Sequence, residues 1–77
     1  MNQSRRILVT GASGYVGGRL VRALLNEDMN VRVFVRDKSK VMGQIWINDV
    51  EVAVGNANNY QETLKALEGV HTAFYLL

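Results

Sequence analysis

The sequence predicts a parallel α/β domain, one half of a doubly wound fold, and three observations predict it. The apolar run Ile7-Leu8-Val9 breaks into glycines three residues apart, Gly11, Gly14 and Gly17, with a helical pattern directly behind them. Runs rich in β-branched and aromatic residues recur at 31–35, 50–54 and 70–77, and amphipathic or polar segments separate them. Strand, helix and strand so close together demand a parallel crossover, right-handed in nearly all proteins.

The first strand is expected from Arg6 to Thr10. Its core is continuously apolar, as in a strand covered on both faces, so it belongs at the centre of the sheet. A helix follows from about Tyr15 to Asn26, with Val16, Leu20, Ala23 and Leu24 forming the stripe that covers the sheet and Arg19, Arg22 and Asn26 lying elsewhere. The polar turn Asn26-Glu27-Asp28-Met29-Asn30 leads into a second strand, Val31 to Val35. Lys38 to Trp46 reads as a short helix burying Val41, Met42, Ile45 and Trp46, against which Gly43 weighs about 1 kcal/mol. In the third strand, Val50 to Val54, Glu51 occupies one face, which suits a position near a sheet edge. Asn58 or Asn59 caps a helix reaching about Glu68, with Tyr60, Leu64 and Leu67 on one face and Gly69 as its stop. The fourth strand is Val70 to Leu77. The predicted sheet order is 3-2-1-4, with flanking helices and a ligand crevice beyond the C-terminal ends of strands one and four. The apolar run Ala73 to Leu77 would then form an unprotected edge, so self-association as a homo-oligomer, or membership in a longer protein, is expected.

Residues 1–77 read as one small unit, of a size at which about 60% of the unfolded surface is buried on folding. The formal net charge is only +2 and the basic residues are scattered, which argues against nucleic acid as a partner. No apolar run approaches the roughly 20 residues of a membrane span, so a soluble chain is expected, with no membrane partner. Met1 to Arg6 lacks the apolar core of a secretory signal, and a cytoplasmic location is the default expectation. Without cysteine there is no disulfide or thiolate nucleophile. His71 stands without a second histidine or a carboxylate cluster, so no metal site is expected. Trp46 and the methionines read as packing residues.

The glycine turn is where chemistry is expected. A pyrophosphate needs backbone N–H groups aimed at it, no side chains in the way, and the positive end of a helix dipole behind it. Gly11 would let the chain reverse after the strand, Gly14 would let the backbone approach the phosphates, and Gly17 would let the helix pack closely on the sheet. Ser13, Tyr15 and Val16 would add contacts to the phosphates, although the Tyr15 ring reads as packed beside the turn. A purely structural strand-to-helix turn is the alternative. A Walker A loop is excluded, because Arg19-Leu20 follows Gly17-Gly18 where a Lys-Ser or Lys-Thr pair is required.

The segment Val9-Thr10-Gly11-Ala12-Ser13-Gly14-Tyr15-Val16-Gly17 resembles the opening of the extended and atypical short-chain dehydrogenases/reductases. Val31 to Asp37 is similar to the second strand of the atypical branch, the NmrA-like and NAD(P)H-binding members, and Leu64 to Val70 to its approach to strand four. The resemblance implies a Rossmann domain, of which this would be the N-terminal half, and a nicotinamide dinucleotide cofactor. It places Asn56 and Ala57, with Leu76 and Leu77, near adenine and ribose. Asn56 stands where the family commonly has an aspartate; its amide both accepts and donates, and a turn residue is the alternative reading.

Cofactor choice turns on the end of strand two, where an acidic side chain bonds the ribose 2′-OH and a basic one accommodates a 2′-phosphate. The residue there is Arg36, with Lys38 and Lys40 nearby, which favours NADP over NAD. Asp37 is the competing group, and a solvated surface position is the bland alternative for Arg36. The family's catalytic Tyr-x-x-x-Lys pair has no counterpart here: Tyr15 and Tyr60 are followed at that spacing by Arg19 and Leu64, and Tyr75 by none. No catalytic residue is therefore expected, and the chain alone should not turn over. Two readings follow: the cofactor portion of a reductase, dehydrogenase or epimerase, or a non-catalytic NAD(P)-sensing module. A minimal half-domain working as a dimer is a third.

Overall fold

The computed structural model describes residues 5–12 and 14–76. Its elements run β1 (Arg6–Thr10), α1 (Tyr15–Asn26), β2 (Asn30–Val35), β3 (Glu51–Val54), α2 (Tyr60–Ala66) and β4 (Val70–Tyr75). All strand pairs are parallel, and the sheet order is β3-β2-β1-β4, as the crossover argument predicts. The fold is thus one half of a doubly wound sheet.

The continuous apolar core of β1 has the expected cause. Ile7 and Val9 join Val31, Val33 and Val35 on the face covered by α1 through Val21, while Leu8 and Phe34 pack with Ala66 of α2 on the opposite face. Both surfaces of β1 are consequently dry, and Ile7, Leu8 and Val9 are all buried.

Helix α1 keeps its predicted span but is rotated from the predicted stripe. Gly17 and Val21 are buried with Leu20, Leu24 and Leu25 partly buried beside them, while Val16 and Ala23 face solvent. The rotation follows from Gly17, which lies so close to the Gly11 carbonyl and Ala12 that only a residue without a side chain fits the contact. Apolar spacing alone does not register so close an approach.

Lys38 to Trp46 does not form one helix. Asp37 accepts a hydrogen bond from the Ser39 N–H and starts a single 3-10 turn at Lys38–Lys40; turns closed by i to i+3 bonds follow, ending in a second 3-10 turn at Ile47–Asp49. Only Val41 and Trp46 reach the core, and Ile45 is 81% exposed. The three-residue repeat of these turns cannot place all four apolar side chains on one side.

Helix α2 also departs from its predicted face. Asn59 is the cap, accepting from the Glu62 N–H at 3.0 Å, and Gly69 takes the expected left-handed conformation at φ +73°. The helix ends at Ala66, though, and Tyr60, Leu64 and Leu67 are exposed. Arg32 of β2 decides this. Its guanidinium donates to the carbonyls of Ala66 at 2.6 Å and Glu68 at 2.8 Å and to Glu51 Oε1 at 2.8 Å, drawing the end of α2 onto the sheet with Ala66 underneath. β4 occupies the sheet edge, with Phe74 and Tyr75 exposed. No helix among the described residues is long and apolar enough to cross a membrane.

Candidate functional site

The parallel sheet brings the C-terminal ends of its strands to one side, and there a crevice of about 190 Å³ opens. Thr10 and Gly11 form its floor at the end of β1, Phe34 and Arg36 its wall at the end of β2, and Gly55 and Ala57 the loop after β3. Tyr75 and Leu76 close it from β4. The Thr10 hydroxyl locks the last wall in place, donating to the Phe74 carbonyl at 3.3 Å and accepting from the Leu76 N–H at 3.2 Å.

The glycine turn runs from this crevice to the start of α1. Gly11 has φ +77°, a left-handed backbone costly for any other residue, and a Cβ there would stand 2.7 Å from the Leu76 carbonyl oxygen. Gly17 is required by its contact with the turn at the end of β1, not by the sheet surface as its spacing suggests. Gly14 differs from both. Its backbone is ordinary extended chain at φ −84°, ψ 171°, and a Cβ would meet only the Gly11 carbonyl oxygen, 3.6 Å away. Nothing within the described residues demands a glycine at this position. What Gly14 leaves is open space directly before the helix.

Among the described residues no side chain hydrogen-bonds the first turn of this helix, and the turn holds no acidic residue. Gly14 donates to Gly11 and Gly18 to Gly14, but the N–H groups of Tyr15 and Val16 have no acceptor among the described residues. Unpaired donors and the positive end of the dipole therefore share one open spot, which suits an anion.

The remaining predicted residues divide between crevice and periphery. Gly11, Arg36, Ala57 and Leu76 come together in the crevice. The Tyr15 side chain lies on the outer flank of α1, where its hydroxyl accepts from Arg19 at 3.0 Å, and the Val16 side chain is exposed. Lys40 belongs to the 3-10 turn after β2 and does not line the crevice. Asn56 serves its own loop: Oδ1 accepts from the Asn58 N–H at 2.8 Å, and its N–H donates to Glu62 at 2.6 Å. Ser13 and Leu77 lie outside the described residues. Thr10, Phe34 and Tyr75 were not singled out as candidate site residues, and their signal was their position at or just before the ends of adjacent parallel strands; Gly55, just after β3, lies in the stretch whose resemblance points to adenine.

The carboxylate of Asp37 is already engaged. The Ser39 hydroxyl donates to it at 2.8 Å and the Ser39 N–H at 3.0 Å, and these bonds hold its pKa below the usual carboxylate value. Arg36 is exposed at the rim.

A sequence model of the NmrA-like family matches residues 3–77. The chain belongs to the NmrA-like family. Sterol demethylase protein B of Methylococcus capsulatus is 42% identical over 73 residues, a match covering 90% of this chain and 22% of that protein. A short-chain dehydrogenase/reductase superfamily protein from Agrobacterium tumefaciens, solved with bound NAD, is 32% identical with a TM-score of 0.75, covering 95% of this chain and 20% of that one. A Rossmann-fold NAD(P)-binding family protein from Shigella flexneri superposes with a TM-score of 0.82 at 17% identity over 97% of this chain and 38% of that one, a likeness of fold. This NmrA-like chain spans about a fifth of the Methylococcus relative's length.

Proposed function

We propose that this chain binds a nicotinamide dinucleotide, NADP(H) in preference to NAD(H), as the cofactor-binding portion of a short-chain dehydrogenase/reductase-type oxidoreductase or epimerase. The start of α1, which has no side-chain cap among the described residues, carries the reading. Its Tyr15 and Val16 N–H groups open onto the space left by Gly14, a cradle that a side chain would fill and a pyrophosphate fits. The adenosine end would lie in the crevice, against Gly11, Ala57 and Leu76. Asn56 would shape the loop beneath the adenine, with its amide donors left for the base.

The preference for NADP rests on Arg36 and Asp37. Arg36 stands at the rim with a planar fork of donors suited to a 2′-phosphate, with Lys40 adding charge from the following turn, while Asp37 is bound to Ser39 and competes poorly for a ribose hydroxyl. The bound nicotinamide would supply hydride donation or acceptance. With no Tyr-x-x-x-Lys pair in the sequence, binding and not turnover is the role of these residues.

Calorimetric titration with NADPH and then NADH tests this. One site per chain with tighter NADPH binding is expected. Absence of binding by either overturns the function, and equal affinities overturn the preference.

A further inference from the structure

A second groove, of about 250 Å³, lies on the outer flank of α1, between the helix and the segment that follows β2. Arg19 and Arg22, with Tyr15, line it from the helix, Gln44, Ile45 and Trp46 from the following segment, and Gly14 and Gly18 lie between them. Its charge is of one sign. Two guanidinium groups and an amide face it, and neither arginine has a carboxylate within ion-pair distance among the described residues. Arg19 is held in place by Tyr15, its Nη1 donating to the hydroxyl and its Cζ standing 5.5 Å from the ring centroid.

Trp46 supplies the independent observation. Its side chain is among the most deeply buried in the molecule, at 3% exposure, yet its indole N–H has no acceptor among the described residues. The nitrogen faces Gly18, 4.0 Å from where a Cβ on that residue would stand, so the donor points at the groove and not into the apolar core. A buried donor without a partner is rare, and here it shares a groove with two unpaired cations. Gly18 keeps the path between them clear.

We propose that this groove, separate from the adenosine crevice and adjoining the glycine turn at Gly14, is an oxyanion site that takes a phosphate group. Arg19 and Arg22 bind it through charge-assisted hydrogen bonds, and the indole N–H of Trp46 and the amide of Gln44 complete its shell. The group comes either from free phosphate or from a bound dinucleotide reaching past Gly14.

Trp46 is the only tryptophan in the chain, which makes the site its own reporter. Emission of the purified chain is titrated with inorganic phosphate against sodium chloride of matched ionic strength. A saturable change is expected with phosphate alone. The R19Q/R22Q variant, altered only at exposed positions, should lose it, with affinity at least about tenfold weaker, and R36Q should retain it. W46F, followed by calorimetry, should bind phosphate several-fold more weakly than wild type.

Repeating the titration at saturating NADP⁺ separates the sources. A phosphate response that persists assigns the site to a free anion, and one already saturated by NADP⁺ and absent in R19Q/R22Q assigns it to the dinucleotide. No phosphate response beyond the chloride control, or a response that R19Q/R22Q retains, overturns the proposal whether or not the dinucleotide binds elsewhere.

Discussion

Gly14 and Gly17 belong to one motif and sit three residues apart, yet the structure gives them opposite reasons for being glycine, and alanine at each position separates those reasons. At Gly17 a Cβ would overlap the Gly11 carbonyl oxygen and stand 2.8 Å from the Ala12 Cα, both backbone atoms that cannot swing aside. Overpacking of this kind costs about 3 kcal/mol, the upper end for added core atoms, while better helix propensity offsets about 1 kcal/mol. The net loss expected for G17A is about 2 kcal/mol. For a chain of this size total stability is on the order of 4 to 12 kcal/mol, so the loss is a large fraction of the whole. With a urea slope of about 1 kcal/mol per molar, the midpoint should fall by about 2 M. At Gly14 the backbone suits any L residue and the added methyl meets open space, so G14A should cost less than about 1 kcal/mol, mainly through a poorer helix cap. The same methyl would stand where the pyrophosphate is proposed, and NADPH affinity should fall at least about tenfold, or 1.4 kcal/mol. Urea melts followed by circular dichroism, paired with calorimetric titration, read both quantities. A G14A chain that is as unstable as G17A, or that is stable and binds NADPH like wild type, would refute the reasoning.

Other perturbations test the remaining contacts. Arg36→Glu should weaken NADPH binding by about 2 kcal/mol and NADH binding much less, read by the same titrations; equal losses would remove Arg36 as the selector. Arg32→Ala leaves the carbonyls of Ala66 and Glu68 without their donor and should cost about 2 kcal/mol in a urea melt, with protection of α2 amides lost first in hydrogen exchange. Glu51 has its pKa lowered chiefly by its hydrogen bond from Arg32, against an opposing effect of partial burial, and the charges of Arg32 and Arg6 add to the lowering. A depressed folded pKa means that this stabilisation is present above the ordinary value of 4.5 and is lost as pH falls through the lower folded value. Stability of E51Q should therefore decline less steeply below about pH 4.5 than wild type. Ala73→Lys places a charge on the exposed β4 edge and should shift any self-association seen by sedimentation velocity toward monomer without a loss of fold.

Most of the architecture was legible because it rests on local rules. Continuous apolarity marked β1 as central, Glu51 marked β3 as an edge, and the crossover constraint then left the order 3-2-1-4. Asn59 and Gly69 announced the ends of α2 through cap chemistry that operates within a few residues. The faces of the helices were less legible, since the apolar residues of α1 and α2 offer more than one stripe and long-range contacts choose between them. Gly17 against the turn rotated α1, and Arg32 pulling on Ala66 and Glu68 rotated α2. The segment after β2 was misread as one helix because Asp37 caps a single tight turn and each further turn closes three residues on.

The candidate site divides along the same line. By itself the sequence determined that glycines three residues apart join a buried strand to a helix, and that Arg36 ends the neighbouring strand, because steric freedom and chain direction are properties of adjacent residues. Only the tertiary structure decided which groups remain available to a ligand. Asp37 and Asn56 turned out to be committed to Ser39 and Asn58, Tyr15 to Arg19, while Phe34, Tyr75 and Thr10 moved into the crevice and the Trp46 N–H was left without an acceptor among the described residues. Hydrogen-bond capacity is used once. Which partner uses it is settled by the packing of elements far apart in the chain, and no pattern of spacing records that outcome.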